Sequence, residues 1–194
     1  MTRQIGVLAV QGDFLEHLRM LTALNVEALP VRLPRDLINV DSLIIPGGES
    51  TTITRLMETF GLVEPIKNFA RQGNPVWGTC AGMIVAATNV PDLDREPLGL
   101  IDINVQRNAF GRQIDSFQTD IMITGLKNKP FPAIFIRAPI IQKANANVAI
   151  LSQLNDGTII AAQHNNVLVT AFHPELTTDT RVHELFLSLI NIQR

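Results

Sequence analysis

Short apolar runs alternate with amphipathic segments through the first half of this chain, and this alternation restricts its possible folds more than any other feature. Residues 5–10 (IGVLAV) and 42–48 (SLIIPGG) have the continuous apolar character of strands buried on both faces. Residues 50–60 instead carry apolar side chains at helical spacing, namely Ile53, Leu56, Met57 and Phe60. Strands that alternate with helices predict βαβ units in a parallel sheet with helices on both faces.

Further helices and one strand extend this pattern up to residue 90. Asp13 precedes the first amphipathic segment and is expected to cap that helix with its side chain. A helix is also predicted over 62–72. The apolar run 75–79 (PVWGT) predicts a strand, and 81–90 (AGMIVAATNV) predicts the helix that follows it.

The second half of the chain is rich in strand-like runs with little helix between them. These runs are GLIDINVQ, QTDIMIT, PAIFIRA, VAILSQ, TIIAAQH and VLVTAFH. They predict antiparallel additions to the sheet. One last amphipathic helix is predicted over 179–193. We therefore predict an α/β three-layer sandwich, with a mostly parallel central sheet and antiparallel additions in the second half, as a single domain over 1–194.

Charge and cysteine content exclude several classes of protein. The net charge is −2, and no basic block or aromatic stacking platform of a nucleic-acid-binding protein is present. No apolar run approaches the length of a membrane span, and the N-terminal run is too short for a signal peptide. A single cysteine excludes an internal disulfide framework and a multi-cysteine metal site. We expect a cytoplasmic protein that needs no metal and no cofactor.

The single cysteine, Cys80, lies in the sequence GTCAG between a predicted strand and a predicted helix. This pattern has the form of a nucleophile elbow, with cysteine where many hydrolases have serine. Gly78 and Gly82 permit the sharp turn, and the positive end of the helix that starts at Ala81 favours a thiolate. The backbone N–H of Ala81 is then available as an oxyanion donor. The alternative is a buried cysteine of the core, which the flanking glycines disfavour.

A thiol nucleophile needs a base, and the sequence FHPE offers one at His173. In an extended chain, residues two apart point to the same side, so Glu175 is predicted to lie beside the His173 ring and orient it. The alternative is an ordinary His-Pro turn. For His17 and His183, which lie in predicted helices, solvated or capping roles are expected, and His164 is interpreted as a strand-end residue.

A third motif is PGGEST, which follows the predicted strand at 42–48. Consecutive glycines let backbone amides approach a ligand closely, and a helix start can hold an anionic group. Ser50 or Thr51 is expected to cap this helix. The loop is not a Walker loop, because no Gly-Lys-Ser/Thr follows it, and an ordinary glycine-rich βα loop is the alternative.

These three motifs, in this order and spacing, resemble those of the class I (triad-type) glutamine amidotransferases. More closely, the chain resembles the glutaminase subunits of two-component pyridoxal 5′-phosphate synthases, over essentially its whole length. The stretches that carry this narrower resemblance are GVLAVQGDFLEH, LIIPGGESTT, QRNAFGRQIDSF (106–117), FIRAP (135–139) and FHPELT. The triad motifs are shared by the whole class, whereas QRNAFGRQIDSF and FIRAP are more specific.

The resemblance implies the hydrolysis of L-glutamine to L-glutamate and ammonia. Cys80 would be the nucleophile, His173 the base and Glu175 the residue that orients it. Backbone N–H groups of Gly47, Gly48 and Ala81 would form the oxyanion hole. The implied glutamine-binding residues are Gly48, Glu49, Ser50, Arg107, Ile136 and Arg137, with Gln11 nearby. Either arginine could pair with the α-carboxylate of glutamine.

The resemblance also implies a partner, a (βα)₈-barrel pyridoxal 5′-phosphate synthase subunit that receives the ammonia within a hetero-oligomeric complex. Docking would activate the glutaminase, and a peptide flip at Gly47–Gly48 is a candidate switch. Three alternatives remain open. They are a glutaminase that feeds another acceptor, such as imidazole glycerol phosphate synthase, a thiol redox or stress protein of related fold, and a non-catalytic regulatory subunit.

Overall fold

The strands of the first half form a parallel sheet, as the alternation predicts. The computed structural model describes residues 3–109, 116–127 and 129–190. Four strands and three helices precede the elbow: β1 (Gln4–Leu8), α1 (Phe14–Ala23), β2 (Glu27–Val31), β3 (Ser42–Ile45), α2 (Ser50–Thr59), α3 (Val63–Arg71) and β4 (Val76–Thr79). They pair in parallel in the order β2-β1-β3-β4. The carboxyl ends of these strands therefore meet at one edge, where open α/β sheets bind ligands.

Further helices and strands follow the elbow, and most of these strands extend the sheet. They are α4 (Ala81–Ala86), β5 (Ala87–Asn89), β6 (Ile101–Gln106), β7 (Ser116–Ile121), β8 (Phe131–Ile136), β9 (Ile140–Ala144), β10 (Ala149–Gln153), β11 (Ile159–His164), β12 (Val167–Thr170) and α5 (Arg181–Leu189). In the described residues the large sheet continues β4-β12-β11-β9-β6-β5, with β10 on β11. β7 and β8 form a separate antiparallel pair. The described residues also include two short 3₁₀ helices, Pro34–Asn39 and Pro174–Leu176.

Helices cover both faces of the sheet, so the predicted α/β sandwich is confirmed. Ile44 packs into one hydrophobic cluster together with side chains of α1 and α5. Its neighbours Leu43 and Ile45 pack into the other cluster, with side chains of α2 and α3. This switch between adjacent residues is expected of a central strand, because successive side chains point to opposite faces.

Several local predictions need correction. The helix predicted over 81–90 ends at Ala86, because Ala87–Asn89 turn into β5 and pair with β6. β9 was not predicted, since its sequence IIQKA mixes polar and apolar residues. β12 is antiparallel to β11, as expected, but parallel to β4. β7 and β8 pair with each other and not with the large sheet. The last three positions of the helix predicted over 179–193 lie outside the described residues.

Close packing at the elbow predicts that one added methyl group strongly destabilises the fold. A Cβ on Gly82 would overlap the backbone carbonyl oxygen of Ile45. We expect Gly82→Ala to lower the free energy of unfolding by about 3 kcal/mol, measured by urea denaturation, because neither backbone can move freely. Gly61→Ala is the control. Its site is open but has φ +67°, so it is expected to cost about 1 kcal/mol. Equal losses in the two variants would contradict the prediction.

Candidate active site

Cys80 occupies the sharp turn that its flanking glycines predict. Its φ is +49° and its ψ is −105°, a backbone conformation that costs energy for any residue with a Cβ. The backbone N–H of Cys80 donates to the carbonyl of Thr170 at 2.8 Å, so the elbow is fastened to the end of β12. Ala81 is the first residue of α4, and its N–H lies outside the hydrogen-bond ladder of that helix. The local geometry is that of a nucleophile elbow.

The register of two parallel strands brings His173 next to Cys80. Thr79 of β4 pairs with Thr170 of β12, and the chain continues from there to Cys80 and to His173 respectively. The backbone N–H of His173 donates to the carbonyl of Ile134 in β8 at 2.8 Å. The thiol of Cys80 lies 3.9 Å from the carbonyl oxygen of Ile136 in the same strand. The β7–β8 pair therefore closes over the site.

Glu175 lies beside the imidazole ring, as predicted, but it does so from the 3₁₀ helix Pro174–Leu176 and not from an extended chain. Nδ1 of His173 is 2.7 Å from Oε1 of Glu175, and both residues are buried. Burial alone would lower the pKa of His173, but hydrogen bonds and charges from Cys80 and Glu175 outweigh it and raise the pKa to about 10. Burial raises the pKa of Glu175, although His173 acts in the opposite direction. The arrangement thus stabilises the imidazolium form of His173.

A second carboxylate near the ring was not predicted. Asp13 was expected to cap α1, but its side chain makes no capping hydrogen bond. Oδ2 of Asp13 instead lies 3.6 Å from Nδ1 of His173, and burial raises the pKa of this carboxyl group. The sequence did indicate that Asp13 lies near the site. Asp13 follows Gln11 and Gly12 just after β1, at the edge of the sheet where ligands bind.

The glycine loop after β3 is held by its neighbours and by Glu49. The carbonyl of Gly47 accepts a hydrogen bond from the backbone N–H of Asp13 at 3.0 Å. Ser50 and Thr51 do not cap α2. Glu49 caps it, because its carboxylate accepts from the N–H groups of Thr51 and Thr52. Burial by itself would raise the pKa of Glu49, but hydrogen bonds from the side chains and backbone N–H groups of Thr51 and Thr52 dominate and lower it to about 2.

The structure gathers the predicted site residues around one cleft of about 400 Å³. The residues lining it are Gln11, Asp13, Gly48, Glu49, Ser50, Cys80, Ala81, Ile84, Arg107, Asn108, Ile136, Arg137 and His173. Gly47 lies beside His173, since a Cβ on Gly47 would meet the imidazole ring, and Glu175 lies behind that ring. A second cavity of about 440 Å³, near Lys67, Arg71 and His164, contains none of the predicted site residues.

Both candidate arginines line the cleft. Neighbouring residues engage the side chain of Arg107, whereas Arg137 is distinguished by its backbone conformation. Arg107 donates to the carbonyl of Asp92 at 2.8 Å and lies 3.3 Å from the carboxylate of Glu49. Arg137 lines the cleft with φ +42°. Of the specific stretch 106–117, residues 110–115 lie outside the described residues.

Three side chains at this site are of the types that ligate metals. Asp13, His173 and Glu175 place one potential ligand atom each within 4.8 Å of one another. Nδ1 of His173 is already hydrogen-bonded to Glu175, so this cluster is an ion-pair arrangement as it stands. The expectation that the protein needs no metal stays a prediction.

Two histidines assigned to solvated or capping roles are instead fully buried behind the site. His17 and His183 are both 0% exposed, and Nδ1 of His17 lies 3.0 Å from Nε2 of His183. Their burial was predictable in part, because His17 shares a face of α1 with Met20 and Leu21 at helical spacing.

Known proteins resemble this chain in sequence and in structure. Residues 7–191 match the SNO glutamine amidotransferase family. The chain is 54% identical over 188 residues to the pyridoxal 5′-phosphate synthase subunit PdxT of Dehalococcoides mccartyi, which covers 96% of each chain. It is 53% identical over 190 residues to PdxT of Fervidobacterium nodosum, covering 98% of each. A crystal structure of a glutamine amidotransferase superposes with a TM-score of 0.91 at 40% identity, covering 96% of this chain and 98% of that one.

More distant structures share the fold. A chain in the structure of PurLQS from Thermotoga maritima has a TM-score of 0.71 at 16% identity, with coverage of 97% of this chain and 99% of that chain.

Among the helices of the described residues, none has the length and apolar character that a membrane span requires.

Proposed function

Because the chain belongs to the SNO glutamine amidotransferase family, we propose that it hydrolyses L-glutamine to L-glutamate and ammonia as the glutaminase subunit of a pyridoxal 5′-phosphate synthase. Curated relatives of that name match it over nearly their whole length. The observation that carries the chemistry is the 2.7 Å contact between His173 and Glu175 beside a cysteine with φ +49°. This combination suits a thiol nucleophile with an oriented base.

The proposed reaction proceeds through a thioester. His173 accepts the proton of the Cys80 thiol, and the sulfur attacks the side-chain amide carbon of glutamine, forming the S–C bond. The imidazolium of His173 then protonates the leaving nitrogen as the C–N bond breaks, and ammonia departs. Water, deprotonated by His173, attacks the thioester, and glutamate leaves as the S–C bond breaks. Glu175 keeps Nδ1 protonated, so that Nε2 can exchange the proton.

Charge that develops on the amide oxygen needs fixed donors. We propose that these are the backbone N–H groups of Ala81 and of the Gly47–Gly48 loop, in keeping with the position of Ala81 at the start of α4. The hydrogen bond from Asp13 to the Gly47 carbonyl is the contact that a peptide flip would break. We keep this flip as the candidate switch between resting and active states.

The substrate would lie in the cleft that Cys80 shares with the predicted binding residues. Gly48, Glu49, Ser50, Arg107, Ile136 and Arg137 all line it, and this common lining supports their role in holding glutamine. A cleft of about 400 Å³, with charged and polar side chains in its lining, is of the size expected for a small polar ligand.

The proposed partner is a (βα)₈-barrel synthase subunit in a hetero-oligomeric complex. Ammonia released to water would be protonated and lost as a nucleophile, so direct transfer to a docked acceptor is expected. We also propose one glutamine amidotransferase domain over 1–194, a cytoplasmic location, and a reaction that requires no cofactor.

Glutamate release by the purified chain, alone and with a pyridoxal 5′-phosphate synthase subunit, tests this proposal. We expect a low rate alone and a higher rate in the complex, because docking completes the oxyanion hole. Cys80→Ala is the inactive control. Activity that the partner leaves unchanged would keep the chemistry but point to another acceptor, such as imidazole glycerol phosphate synthase. Absence of activity in a properly formed complex would contradict the proposal.

A further inference from the structure

The outer oxygen of Glu175 faces a second histidine. Oε1 of Glu175 is hydrogen-bonded to His173, whereas Oε2 has no hydrogen-bond partner of normal geometry within the described ranges. Nε2 of His17 lies 3.5 Å from this Oε2, and both side chains are fully buried. A buried carboxylate oxygen without a donor destabilises the folded protein. The contact with His17 is therefore expected to stabilise the carboxylate of Glu175.

The same nitrogen also reaches the strand that carries the nucleophile. Nε2 of His17 lies 3.2 Å from the hydroxyl oxygen of Thr79, the residue that precedes Cys80. His17 therefore contacts both the acid of the triad and the last residue of β4. A single ring nitrogen therefore links the chain segment that carries Cys80 with the segment that carries His173.

The protonation of the His17–His183 pair follows from its surroundings. Burial, with smaller contributions from the charges of His183 and His173, lowers the pKa of His17 well below its usual value. Burial also lowers the pKa of His183 to about 4. Both rings are then neutral at pH 7, and each carries one N–H.

The carboxylate decides which nitrogen of His17 carries its proton. An ionised carboxylate only accepts and repels the lone pair of an unprotonated ring nitrogen, so its position 3.5 Å from Nε2 of His17 favours the tautomer with the proton on Nε2. Nδ1 of His17 then accepts from the Nε2–H of His183, 3.0 Å away. This leaves Nδ1 of His183 unprotonated, which agrees with the lack of a hydrogen-bond partner for that atom within the described ranges.

Aromatic packing holds the two rings in place. The Trp77 ring contacts His17 with centroids 5.6 Å apart and His183 with centroids 4.9 Å apart, both edge-on. Trp77 lies in β4, two residues before Thr79, so the rings are held by the strand that ends at the elbow. A rigid, fully buried ring is suited to positioning another side chain.

We propose that His17 is a positioning residue of the glutaminase. Its Nε2–H holds Oε2 of Glu175, so that Oε1 of Glu175 stays hydrogen-bonded to Nδ1 of His173. His183 donates to Nδ1 of His17 and so supports this tautomer, and Thr79 ties the pair to the Cys80 elbow. The inference rests on the proposed function, because it assigns a role within that triad.

Two variants at position 17 separate this role from simple packing. His17→Leu removes the donor while filling much of the same volume, and His17→Gln keeps an N–H near the Nε2 position. His164→Gln, at a histidine that lines a different cavity, is the matched control. All are measured as the complex with the synthase subunit, by glutaminase kcat, KM and pH profile.

We expect His17→Leu to lower kcat roughly 10- to 100-fold with little change in KM, because a loosened Glu175 misplaces His173. The alkaline limb of kcat is expected to move to lower pH, since the imidazolium loses support. The other groups facing His173, which are Cys80 and Asp13, are unchanged in this variant. His17→Gln should recover most of the rate and the alkaline limb.

A second readout does not use glutamine. The rate of Cys80 alkylation by iodoacetamide, followed against pH, reports thiolate formation at the only cysteine. His17→Leu is expected to move the midpoint to higher pH, because a weaker imidazolium stabilises the thiolate less. This shift can appear even if glutaminase activity itself is absent, so failure of the proposed function is distinguishable from failure of this inference.

The proposal is overturned if a folded His17→Leu variant keeps the wild-type kcat and both pH midpoints. It is equally overturned if His17→Gln and His17→Leu lose the same activity together with thermal stability, since that pattern means packing alone. Rescue by His17→Gln with restored pH midpoints supports it.

Discussion

Replacement of Cys80 by alanine is expected to lower the rate of glutamate release by roughly 10⁴-fold or more, because removal of a covalent nucleophile disables the whole triad. Binding of glutamine should change little, since the cleft keeps its other lining residues. The measurement is glutamate release in the complex with the synthase subunit, followed by mass spectrometry for a glutamyl adduct on the chain. The adduct is expected in the wild type and not in the variant.

Cys80→Ser separates chemistry from backbone strain. Serine keeps a similar volume and the same positive φ at the elbow, but its hydroxyl is a far weaker nucleophile at neutral pH. We expect Cys80→Ser to be nearly as inactive as Cys80→Ala while its unfolding midpoint stays close to that of the wild type. A serine variant that retains substantial activity would argue against a thiolate mechanism.

Replacement of Glu175 by glutamine is expected to lower kcat on the order of 10³- to 10⁴-fold, the effect of presenting the base in the wrong tautomer. The glutamine amide can turn its N–H₂ group toward Nδ1 of His173, which then has to accept a hydrogen bond. Nε2 would carry the proton and could no longer take one from Cys80. KM and kcat of the complex, measured at several pH values, would report this loss.

The neighbouring carboxylate supplies the sharpest control for this prediction. Asp13 lies 3.6 Å from Nδ1 of His173 against 2.7 Å for Glu175, so Asp13→Asn is expected to have a much smaller effect. Glu64→Gln, at an exposed ion pair, should have none. A Glu175→Gln variant that stays active, combined with an inactive Asp13→Asn variant, would assign the orienting role to Asp13.

The parts of the site that depend on local chain geometry were predictable from the sequence. GTCAG predicts an elbow because glycines on both sides of a cysteine, after a strand and before a helix, have few other structural uses. The spacing from His173 to Glu175 predicts a side-by-side pair, and the structure has that pair, although Pro174–Leu176 form a 3₁₀ helix and not the extended chain that the prediction assumed. The alternation of buried runs and amphipathic helices gave the α/β class, and the helices do cover both faces.

The parts that depend on distant segments were not predictable in the same way. His17 and His183 lie in different helices, and only the fold brings their rings together behind Glu175. Their helical spacing with Met20, Leu21 and Phe186 indicated an inward face, but a histidine on such a face is ambiguous until its partner is known. Glu49 displaced Ser50 as the cap of α2 because its longer side chain reaches back to two free N–H groups.

The pairing of β4 with β12 determines when, during synthesis, the site can first assemble. Almost half the chain lies between Cys80 and His173, and β12 can join β4 only after that intervening length has been synthesised. Contacts between such distant segments form late, because loop closure must precede them. A nascent chain therefore carries its thiol through almost half of translation without the histidine that is proposed to activate it. Under the proposed mechanism, ammonia production begins only once β12 has paired with β4.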